Sequence, residues 1–340
     1  MKQNGNFDSG RPDELTIIIV SWNACGYLKG CLNSLRDALD AGICNVIVVD
    51  NGSTDGSPEL ASAFHPRVSL MQTGSNLGFA KANNLALAQA TTPYVMLLNS
   101  DTVFSSSALT TMTALMKARP EFWVCGCQHV DGSAATQNPF GRFPSLRSEF
   151  ITMTGLFAWP VFRTLISLRK SRRVNSVASS SGSGEAAKDL VVPVDYVSGA
   201  SMMLHRERIS KLGGLDESFF FYSEDADLCK RVWDHGGQVG FIPGVVITHY
   251  GGGSYGSRYL FVLGKWMQTR LTFFRKHYGR RSAITLHLIY CLAGMLSVLK
   301  WSGIYVCRVK RRKEARQWID FWIGSLRGQH VVGDDHGPCT

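Results

Sequence analysis

The stretch VIVVDNGSTDGS, residues 46–57, decides the fold, because it joins a short apolar run to a polar loop that carries two carboxylates. The apolar residues predict a buried strand, and hydrophobicity stops at Asp50. The loop that follows contains a second carboxylate, Asp55. Such a junction is either an ordinary strand–turn–helix connection or a loop that binds a ligand at the carboxyl end of the strand.

The same alternation of apolar runs and helix-period segments extends on both sides of this stretch. The strand-like runs are residues 15–20, 46–49, 68–71 and 94–98. The helix-period segments between and after them are residues 28–39, 80–90 and 108–118. This pattern predicts an α/β fold with a mostly parallel central sheet that is covered by helices on both faces. Ligands of such sheets bind beyond the carboxyl ends of the strands.

Polar residues gather at two of these strand ends and in a glycine-bearing loop between them. After the second strand come Asp50, Asn51, Ser53 and Asp55. The fourth strand ends in NSD, residues 99–101, and the loop GSNLGFAKANN, residues 74–84, opens a helix. Each segment alone is typical of helix caps and turns. Because all three lie on one edge of the sheet, they predict a ligand site there.

The composition suits a globular protein with a basic surface. The chain has 340 residues, 45% of them hydrophobic, which is enough for one large or two small domains. A formal net charge of +10 suggests nucleic acid or anionic lipid as a partner. Basic clusters at 169–173 and 308–316 follow the apolar stretches 151–166 and 283–307, which favours a membrane surface. Solvated helix ends explain the first cluster equally well.

Nucleic-acid binding requires basic residues interleaved with stacking aromatics on the sheet region, and the sequence has them only in these membrane-like segments. The nine cysteines include no CxxC pair, and the polar start of the chain contains no apolar segment. These two features predict reduced thiols in the cytosol. Residues 1–14 and 331–340 are expected to be tails, and the Ser/Gly-rich residues 171–188 a flexible loop.

An acidic run in the second half of the chain is the candidate catalytic centre. Glu224, Asp225 and Asp227 lie in the first turn of a predicted helix, residues 224–235, directly after the aromatic residues 219–222. Acidic residues favour helix N-termini through the helix dipole, which is the structural alternative. A carboxylate beside apolar walls, however, has a raised pKa and serves as a general base near neutral pH. The aromatic run favours the catalytic interpretation.

Asp101 and His249 are the candidate metal ligands. Asp101 follows the fourth strand, and a hard cation such as Mg²⁺ takes one or two carboxylates together with substrate phosphates. Capping of the next helix is the alternative for Asp101. His249 follows the apolar run GVVI and precedes a glycine run, which favours close approach to a ligand over a purely structural hydrogen bond.

Seven motifs in this order resemble the family 2 glycosyltransferases with the GT-A fold, and among them the bacterial rhamnosyltransferase-like group. The motifs are IIIVSWN, VIVVDNGSTDGS, NLGFAKANN, YVMLLNSD, VSGASMMLHRE, GGLDESFFFYSEDADLCKR and HYGGGS. The resemblance implies one GT-A domain over residues 15–255, with a nucleotide-sugar-binding half at 15–125 and an acceptor or catalytic half at 190–255. A helical, membrane-associating region is expected at residues 256–330.

The resemblance also implies roles for individual residues. Those expected to bind the nucleotide-sugar are Asn23, Asp50, Asn51, Ser53, Asp55, Asn76, Gly78, Asn83 and Asn99. NSD stands where the family has its DxD motif, so Asp101 is expected to hold Mg²⁺ or Mn²⁺ with His249. Asn99 departs from that motif, because it stands at the position of the first aspartate and its amide side chain adds no charge. Asp225, with Glu224 beside it, is expected to supply the catalytic base.

The implied activity is inverting, metal-dependent transfer of a sugar from a nucleotide-sugar to a hydroxyl of a saccharide or lipid-linked saccharide. By resemblance the donor is dTDP-rhamnose, with UDP-sugars as the alternative, and the product is a bacterial surface polysaccharide such as O-antigen. A non-catalytic nucleotide-sugar-binding scaffold of the same fold is the second hypothesis, and Asn99 alone supports it.

The apolar residues 283–307 are close to the roughly twenty residues that a spanning helix needs. Edge aromatics and the basic cluster behind them favour peripheral or shallowly inserted attachment to anionic lipid at the cytoplasmic face of the inner membrane. A buried core helix is the alternative.

Overall fold

A computed structural model describes residues 14–154, 190–251 and 259–326. They form two compact units: residues 14–143 with 190–251, and residues 144–154 with 259–326. The predicted flexible loop and C-terminal tail, and the first basic cluster, lie outside the described residues, as does the predicted N-terminal tail apart from Glu14.

The four strands predicted from the apolar runs form a parallel sheet at the start of the first unit, as expected. They are β1 (Leu15–Ser21), β2 (Asn45–Asp50), β3 (Val68–Gln72) and β4 (Tyr94–Asn99). β1 pairs in parallel with β2 on one side and with β4 on the other, and β2 pairs with β3. The strands at the centre are buried on both faces, which explains why they are continuously apolar.

Helices connect and cover these strands. In chain order the described helices are α1 (Cys25–Ser34), α2 (Arg36–Asp40), α3 (Ser57–Ser62), α4 (Phe79–Leu87), α5 (Ser106–Ala118), α6 (Leu146–Met153), α7 (Arg206–Lys211), α8 (Glu224–Asp234), α9 (Tyr259–Cys307) and α10 (Arg312–Leu326). The single helix predicted for 28–39 is two helices that meet at Leu35. Gly236 adopts a left-handed conformation (φ 80°) just after α8, as the C-cap prediction requires.

The rest of the first unit extends the sheet with mixed pairing. Its strands are β5 (Thr102–Val103), β6 (Phe122–Val130), β7 (Phe140–Gly141), β8 (Val192–Pro193), β9 (Tyr196–Val197), β10 (Ser201–His205) and β11 (Gln238–His249). The order is β3-β2-β1-β4-β10-β6-β11-β5, with β8 on β11, while β7 and β9 form a separate pair. β10 runs antiparallel between β4 and β6, so its first residues lie beside the carboxyl end of β4.

Helices cover both faces of this sheet, as predicted. Ile17 and Ile19 of β1 enter one buried cluster, which includes residues of α1 and α5. Ile18, between them, enters the other cluster, which includes residues of α4 and α8. Because successive side chains of a strand point to opposite faces, one apolar run supplies both halves of the core.

The second unit contains α6, α9 and α10. The long helix α9 is interrupted at Gly279, whose φ of 83° is not helical. Glu149 of α6 is buried, lies 3.5 Å from the Arg270 guanidinium and accepts a hydrogen bond of 3.3 Å from the Tyr290 hydroxyl. Burial raises the pKa of Glu149. Trp301 and Trp318 stack with ring centroids 5.5 Å apart, which joins α9 to α10.

Candidate active site

The polar strand ends meet at one edge of the sheet in the first unit. β1 lies between β2 and β4, with Ser21 opposite Asp50 and Val20 opposite Asn99. Asp50 is only 3% exposed, and its carboxylate accepts a hydrogen bond of 3.3 Å from the amide of Ser53. The carboxylate therefore shapes the start of the loop that follows β2.

Asn23 ties the end of β1 to this loop. Its amide N–H donates to Ser53 Oγ at 3.0 Å, and its side-chain Oδ1 accepts from the amide of Thr54 at 2.8 Å. Asn23 has a positive φ of 50°, a conformation that asparagine tolerates better than most residues. Asn23 and Ser53, both predicted to bind the nucleotide, thus lie together.

Asp55 fixes the beginnings of two helices. One carboxylate oxygen accepts a 2.8 Å hydrogen bond from the amide of Cys25, the first residue of α1. The other accepts a 2.6 Å bond from the hydroxyl of Ser57, the first residue of α3. Although burial opposes ionisation, the bonds from Ser57 and Cys25 hold the pKa of Asp55 below its ordinary value. A ligand of Asp55 must share oxygens that already accept these bonds.

Asn51 and Asn76 join the glycine-bearing loop to the end of β2. The side-chain nitrogen of Asn51 donates to Asn76 Oδ1 at 3.0 Å, and its oxygen accepts from the amide of Leu77 at 2.9 Å. Gly78 follows with φ 81°, and a Cβ at this position would lie 2.6 Å from the carbonyl oxygen of Phe220. Glycine is required here because the segment before α8 packs directly on the loop.

Two further predicted donor-binding residues have mainly structural contacts. Asn83 is 1% exposed inside α4, where its side chain donates to the carbonyl of Phe79 at 2.9 Å. The backbone of Asn99 donates to the carbonyl of Ala200 at 3.0 Å and accepts from the Thr102 hydroxyl at 2.7 Å. The predicted roles of both side chains in binding the nucleotide-sugar stay predictions.

The first turn of α8 begins with an unusual backbone. Tyr222 and Ser223 have φ values of 72° and 71°, a region that is costly for residues other than glycine. Glu224 follows, 6% exposed, and its Oε2 has no hydrogen-bond partner within the described chain. Burial, with Asp225 and Asp227 adding to it, raises the pKa of Glu224 to about 8. Its carboxyl group is therefore protonated near neutral pH.

Asp225 is connected to the end of β4 through the turn before β10. One of its carboxylate oxygens accepts from the amide of Gly199 at 3.3 Å, and the other from the amide of Ala226 at 2.7 Å. Gly199 precedes Ala200, whose carbonyl accepts the Asn99 amide. This chain of contacts places Asp225 at the same sheet edge as the NSD segment.

Asp227 has a different role from its two acidic neighbours. It is completely buried, and its carboxylate accepts a 2.8 Å hydrogen bond from Arg231 Nε one helical turn later. The other guanidinium nitrogens of Arg231 donate to the carbonyls of Leu212 and Gly214. The interpretation of all three acids as one catalytic cluster is too broad, because Asp227 belongs to a structural ion pair.

Asp101 and His249 form a close pair although they are far apart in sequence. His249 Nε2 lies 3.3 Å from Asp101 Oδ1, and the two side chains are 17% and 18% exposed. Antiparallel pairing of β5 with β11 sets His249 opposite Thr102, and the amide of Tyr250 donates to the Asp101 carbonyl at 3.0 Å. Ser105, whose hydroxyl accepts from the amide of Ala108, caps α5, so Asp101 is not its helix cap.

The donor atoms of this pair fit a divalent cation. A carboxylate oxygen suits both Mg²⁺ and Mn²⁺, whereas an imidazole nitrogen suits the transition metal Mn²⁺ better than Mg²⁺, which prefers oxygen ligands. Within residues 14–154, 190–251 and 259–326, no three His, Cys, Asp or Glu side chains form a metal-binding group. Asp101 and His249 therefore bring together one carboxylate oxygen and one imidazole nitrogen, and their role as metal ligands stays a prediction.

Residues that sequence reasoning missed surround His249. Gln137 Oε1 lies 2.9 Å from His249 Nδ1, and Gln137 Nε2 donates to the His249 carbonyl at 2.8 Å. The ring of His129 packs edge-on against His249 with centroids 5.5 Å apart, and its Nε2 lies 2.7 Å from Ser201 Oγ. Burial lowers the pKa of His129 to about 4. Nothing in the local sequence of Gln137 marks it, since its partner is 112 residues away.

Comparison with known proteins finds similarity to glycosyltransferases. The family described as Glycosyl transferase family 2 matches residues 16–173, and Glycosyl transferase family 21 matches residues 178–311. An N-acetylglucosaminyl-diphospho-decaprenol L-rhamnosyltransferase of Mycobacterium tuberculosis is 27% identical over 250 residues, 70% of this chain and 76% of the relative. Rhamnosyltransferase WbbL of Escherichia coli is 24% identical over 69% of this chain and 82% of its own length.

A solved structure shares the fold. The mannosyltransferase PcManGT of Pyrobaculum calidifontis, in complex with GDP-Man and Mn²⁺, matches 98% of this chain and 92% of its own with a TM-score of 0.50 and 15% identity. The fold and the sequence motifs together define a glycosyltransferase with a GT-A-like fold. More particularly, the match over residues 16–173 and the two relatives support a family 2 glycosyltransferase that is rhamnosyltransferase-like.

Proposed function

We propose that this glycosyltransferase moves a sugar with inversion from a nucleotide-sugar to a hydroxyl of a saccharide or lipid-linked saccharide, with a divalent cation at Asp101 and His249. One observation carries the proposal. The Asp101–His249 pair and the Asp225 carboxylate lie at the same sheet edge, linked through the backbone contacts from Asn99 to Ala200 and from Gly199 to Asp225. A metal-diphosphate site and a base on one edge suit single-displacement transfer.

The loops after β1 and β2 are the proposed nucleotide site. Asn23, Ser53 and Asp55 are joined by hydrogen bonds there, and Asn51 connects this loop to Asn76. Carboxylate and amide oxygens suit hydrogen bonds with the base and ribose of a nucleotide. Asp50 acts by shaping the loop, because its carboxylate is buried against the Ser53 amide.

Asp101 and His249 are proposed to hold Mg²⁺ or Mn²⁺ against the donor diphosphate. When bound, the cation neutralises the charge that grows on the diphosphate as the sugar departs. Asn99, at the first position of the NSD segment, adds a neutral hydrogen-bonding side chain instead of a second carboxylate. The Mn²⁺ in the mannosyltransferase complex of similar fold supports this assignment.

Asp225 is proposed to take the proton of the acceptor hydroxyl. Burial, with Asp225 and Asp227 adding to it, raises the pKa of Glu224, which favours Asp225 over Glu224 as the carboxylate that takes the proton. The acceptor oxygen then forms a bond to the anomeric carbon while the bond from that carbon to the diphosphate breaks on the opposite face. The proton remains on Asp225 and the leaving group is the nucleoside diphosphate, so no covalent enzyme intermediate is needed.

The leading donor is dTDP-rhamnose, with UDP-sugars as the alternative. The supporting observation is that two relatives are named rhamnosyltransferases. The name of the mycobacterial relative includes a sugar linked through diphosphate to decaprenol, which supports a lipid-linked acceptor here. The product class is then a bacterial cell-surface polysaccharide.

A membrane surface with anionic lipid is the proposed partner of the second unit. Within the described chain, one helix, Leu260–Cys307, is long and apolar enough by length and composition to cross a membrane. Apolar side chains on one face of its second half are exposed, mostly at spacings of three, four or seven residues. They are Ile284, Leu288, Leu292, Met295, Leu296, Leu299 and Val306.

The opposite face of this helix is buried in its own unit, through Leu286, Tyr290 and Ala293. One buried face and one exposed apolar face suit a helix that lies in the membrane interface better than one surrounded by lipid. Exposed basic residues flank the apolar face at both ends: Arg280, Arg281, Arg308, Lys310, Arg312 and Lys313. We place the protein at the cytoplasmic face of the inner membrane, where anionic lipid attracts such residues.

The test measures donor binding and turnover separately. dTDP- and UDP-sugars are screened for thermal stabilisation with Mn²⁺, with Mg²⁺ and with EDTA. Nucleoside diphosphate release is then measured with and without a lipid-linked acceptor. The proposal requires metal-dependent stabilisation by one donor and acceptor-dependent release. Donor binding without any acceptor-dependent turnover would instead favour the non-catalytic scaffold.

A further inference from the structure

We propose that Gln137 is a positioning residue that fixes the tautomer of His249 so that Nε2 presents its lone pair toward Asp101. This inference rests on the proposed metal site for its consequence, but its geometry stands apart from any ligand. Gln137 lies in the hairpin after β6 and touches His249 at two points, the ring and the main chain.

The orientation of the Gln137 amide follows from its partners. The carbonyl oxygen of His249, 2.8 Å from one end of the amide, has no proton to donate. The amide nitrogen must therefore face this carbonyl, which turns the amide oxygen, Oε1, toward His249 Nδ1 at 2.9 Å. Oε1 only accepts, so the ring nitrogen that faces it carries the proton.

A neutral imidazole with its proton on Nδ1 has an unprotonated Nε2. That atom lies 3.3 Å from Asp101 Oδ1. Two acceptor atoms that face each other at this distance repel unless a second ring proton or a metal ion lies between them, so the neutral ring with this tautomer favours a cation at the pair. Ligand histidines of metal sites are commonly oriented by just such a hydrogen bond from the second ring nitrogen.

The main chain around Gln137 holds its side chain in place. The amide of Gln137 donates to the carbonyl of His129 at 2.9 Å, and the side chain of Gln128 donates to the carbonyl of Gln137 at 3.1 Å. Gly251, with φ 54°, leaves room for the amide, because a Cβ there would lie 3.2 Å from Gln137 Nε2. The contact between Gln137 and His249 is thus held by hydrogen bonds, and the lack of a side chain at Gly251 leaves space for it.

Three variants of the full-length protein separate positioning from folding. Gln137→Leu removes both contacts to His249, whereas Gln128→Leu removes a side-chain bond to the same hairpin without touching His249. Gln137→Glu keeps an acceptor for Nδ1 but loses the donor to the His249 carbonyl, so it tests the ring contact separately. Thermal melting of all variants shows that each is folded.

The first readout needs neither metal nor substrate. Nitrogen-15 NMR of the histidine-labelled protein is expected to show the Nδ1–H tautomer of His249 in the wild type, in Gln128→Leu and in Gln137→Glu, and a mixture in Gln137→Leu. The second is Mn²⁺ affinity, measured with Mn²⁺ alone by paramagnetic resonance. Gln137→Leu is expected to weaken it by about 10–100-fold, and Gln128→Leu to leave it within about twofold of wild type.

An Nε2–H tautomer in the wild type overturns the inference, whatever the activity. Equal Mn²⁺ affinity of Gln137→Leu and Gln128→Leu also overturns it. A wild type that has the expected tautomer but binds no Mn²⁺ counts against the proposed metal site and leaves the positioning by Gln137 standing.

Discussion

The carboxylate of Asp225 accepts a 3.3 Å hydrogen bond from the backbone amide of Gly199, 26 residues earlier in the chain. This contact joins the first turn of α8 to the turn that enters β10, and that turn lies against the end of β4 through Asn99. The proposed base and the proposed metal ligands are therefore positioned by the same sheet edge.

Asp225→Asn is expected to lower the transfer rate by about 10²–10⁴-fold, because the amide does not accept the acceptor proton. Donor affinity should stay near wild type, since the change is isosteric. Rates are measured by nucleoside diphosphate release and affinity by calorimetry. Asp234→Asn, the same change at the partly exposed end of α8, is the matched control and should leave both values unchanged. Loss of donor binding in Asp225→Asn would make Asp225 a nucleotide ligand instead.

Asp227→Asn is expected to destabilise the fold by about 3–5 kcal/mol, because it leaves the Arg231 guanidinium without its buried carboxylate partner. Urea unfolding followed by circular dichroism measures the change. Asp234→Asn again provides the comparison, since its ion pair with Lys230 is exposed and contributes at most about 1 kcal/mol. A folded Asp227→Asn variant of normal stability that has lost only turnover would contradict the structural role.

Glu224→Gln is expected to stabilise the protein increasingly as the pH rises from about 4.5 to 8. The folded-state pKa of Glu224 is raised from 4.5 to about 8, so in this interval the unfolded chain is ionised while the folded chain must keep its proton. The wild type therefore loses stability as the pH rises through this interval, and the glutamine variant does not. Melting temperatures of both proteins across pH 4–9 test this prediction. A difference in melting temperature that does not change with pH would contradict it.

Gly78→Ala is expected to destabilise the fold and to weaken donor binding. The added Cβ would lie 2.6 Å from the Phe220 carbonyl, at a φ of 81° that alanine adopts only with strain. Gly30→Ala is the control: it lies on α1 with no atom within 4 Å of the new Cβ, and should be stabilised by about 0.5–1 kcal/mol. Chemical unfolding and donor titration distinguish the two, and an equal response at both glycines would contradict the packing of the 219–223 segment on this loop.

Leu288→Asp is expected to reduce flotation with vesicles that contain anionic lipid. It places a charge at the centre of the exposed apolar face of α9, where Leu288 is 61% exposed. His287→Asp adds the same charge to a neighbouring exposed position outside that face and should float nearly as the wild type does. If both variants float like the wild type, the apolar face is not the membrane contact.

Much of the fold could be predicted from local pattern. The runs LTIIIV, VIVV and YVMLL are continuously apolar because parallel strands of a covered sheet are buried on both faces, and the structure confirms all three as neighbouring strands. The break of the first helix at Leu35 and the antiparallel insertion of β10 did not follow from the sequence, since both depend on packing partners elsewhere in the chain.

The sequence by itself determined the class of fold and the sheet edge that carries the polar residues, because hydrophobic periodicity and residues at strand ends are local properties. Only the tertiary structure decided the partners of two acids, which are Gly199 for Asp225 and Arg231 for Asp227. The pairing of Asp101 with His249 was expected from the family resemblance, and the structure shows their contact. It also decided that Gln137 faces His249 and which face of α9 is exposed. The physical reason is that hydrogen bonds and burial depend on distance in space, and the Asp101–His249 contact joins residues that no sequence period relates.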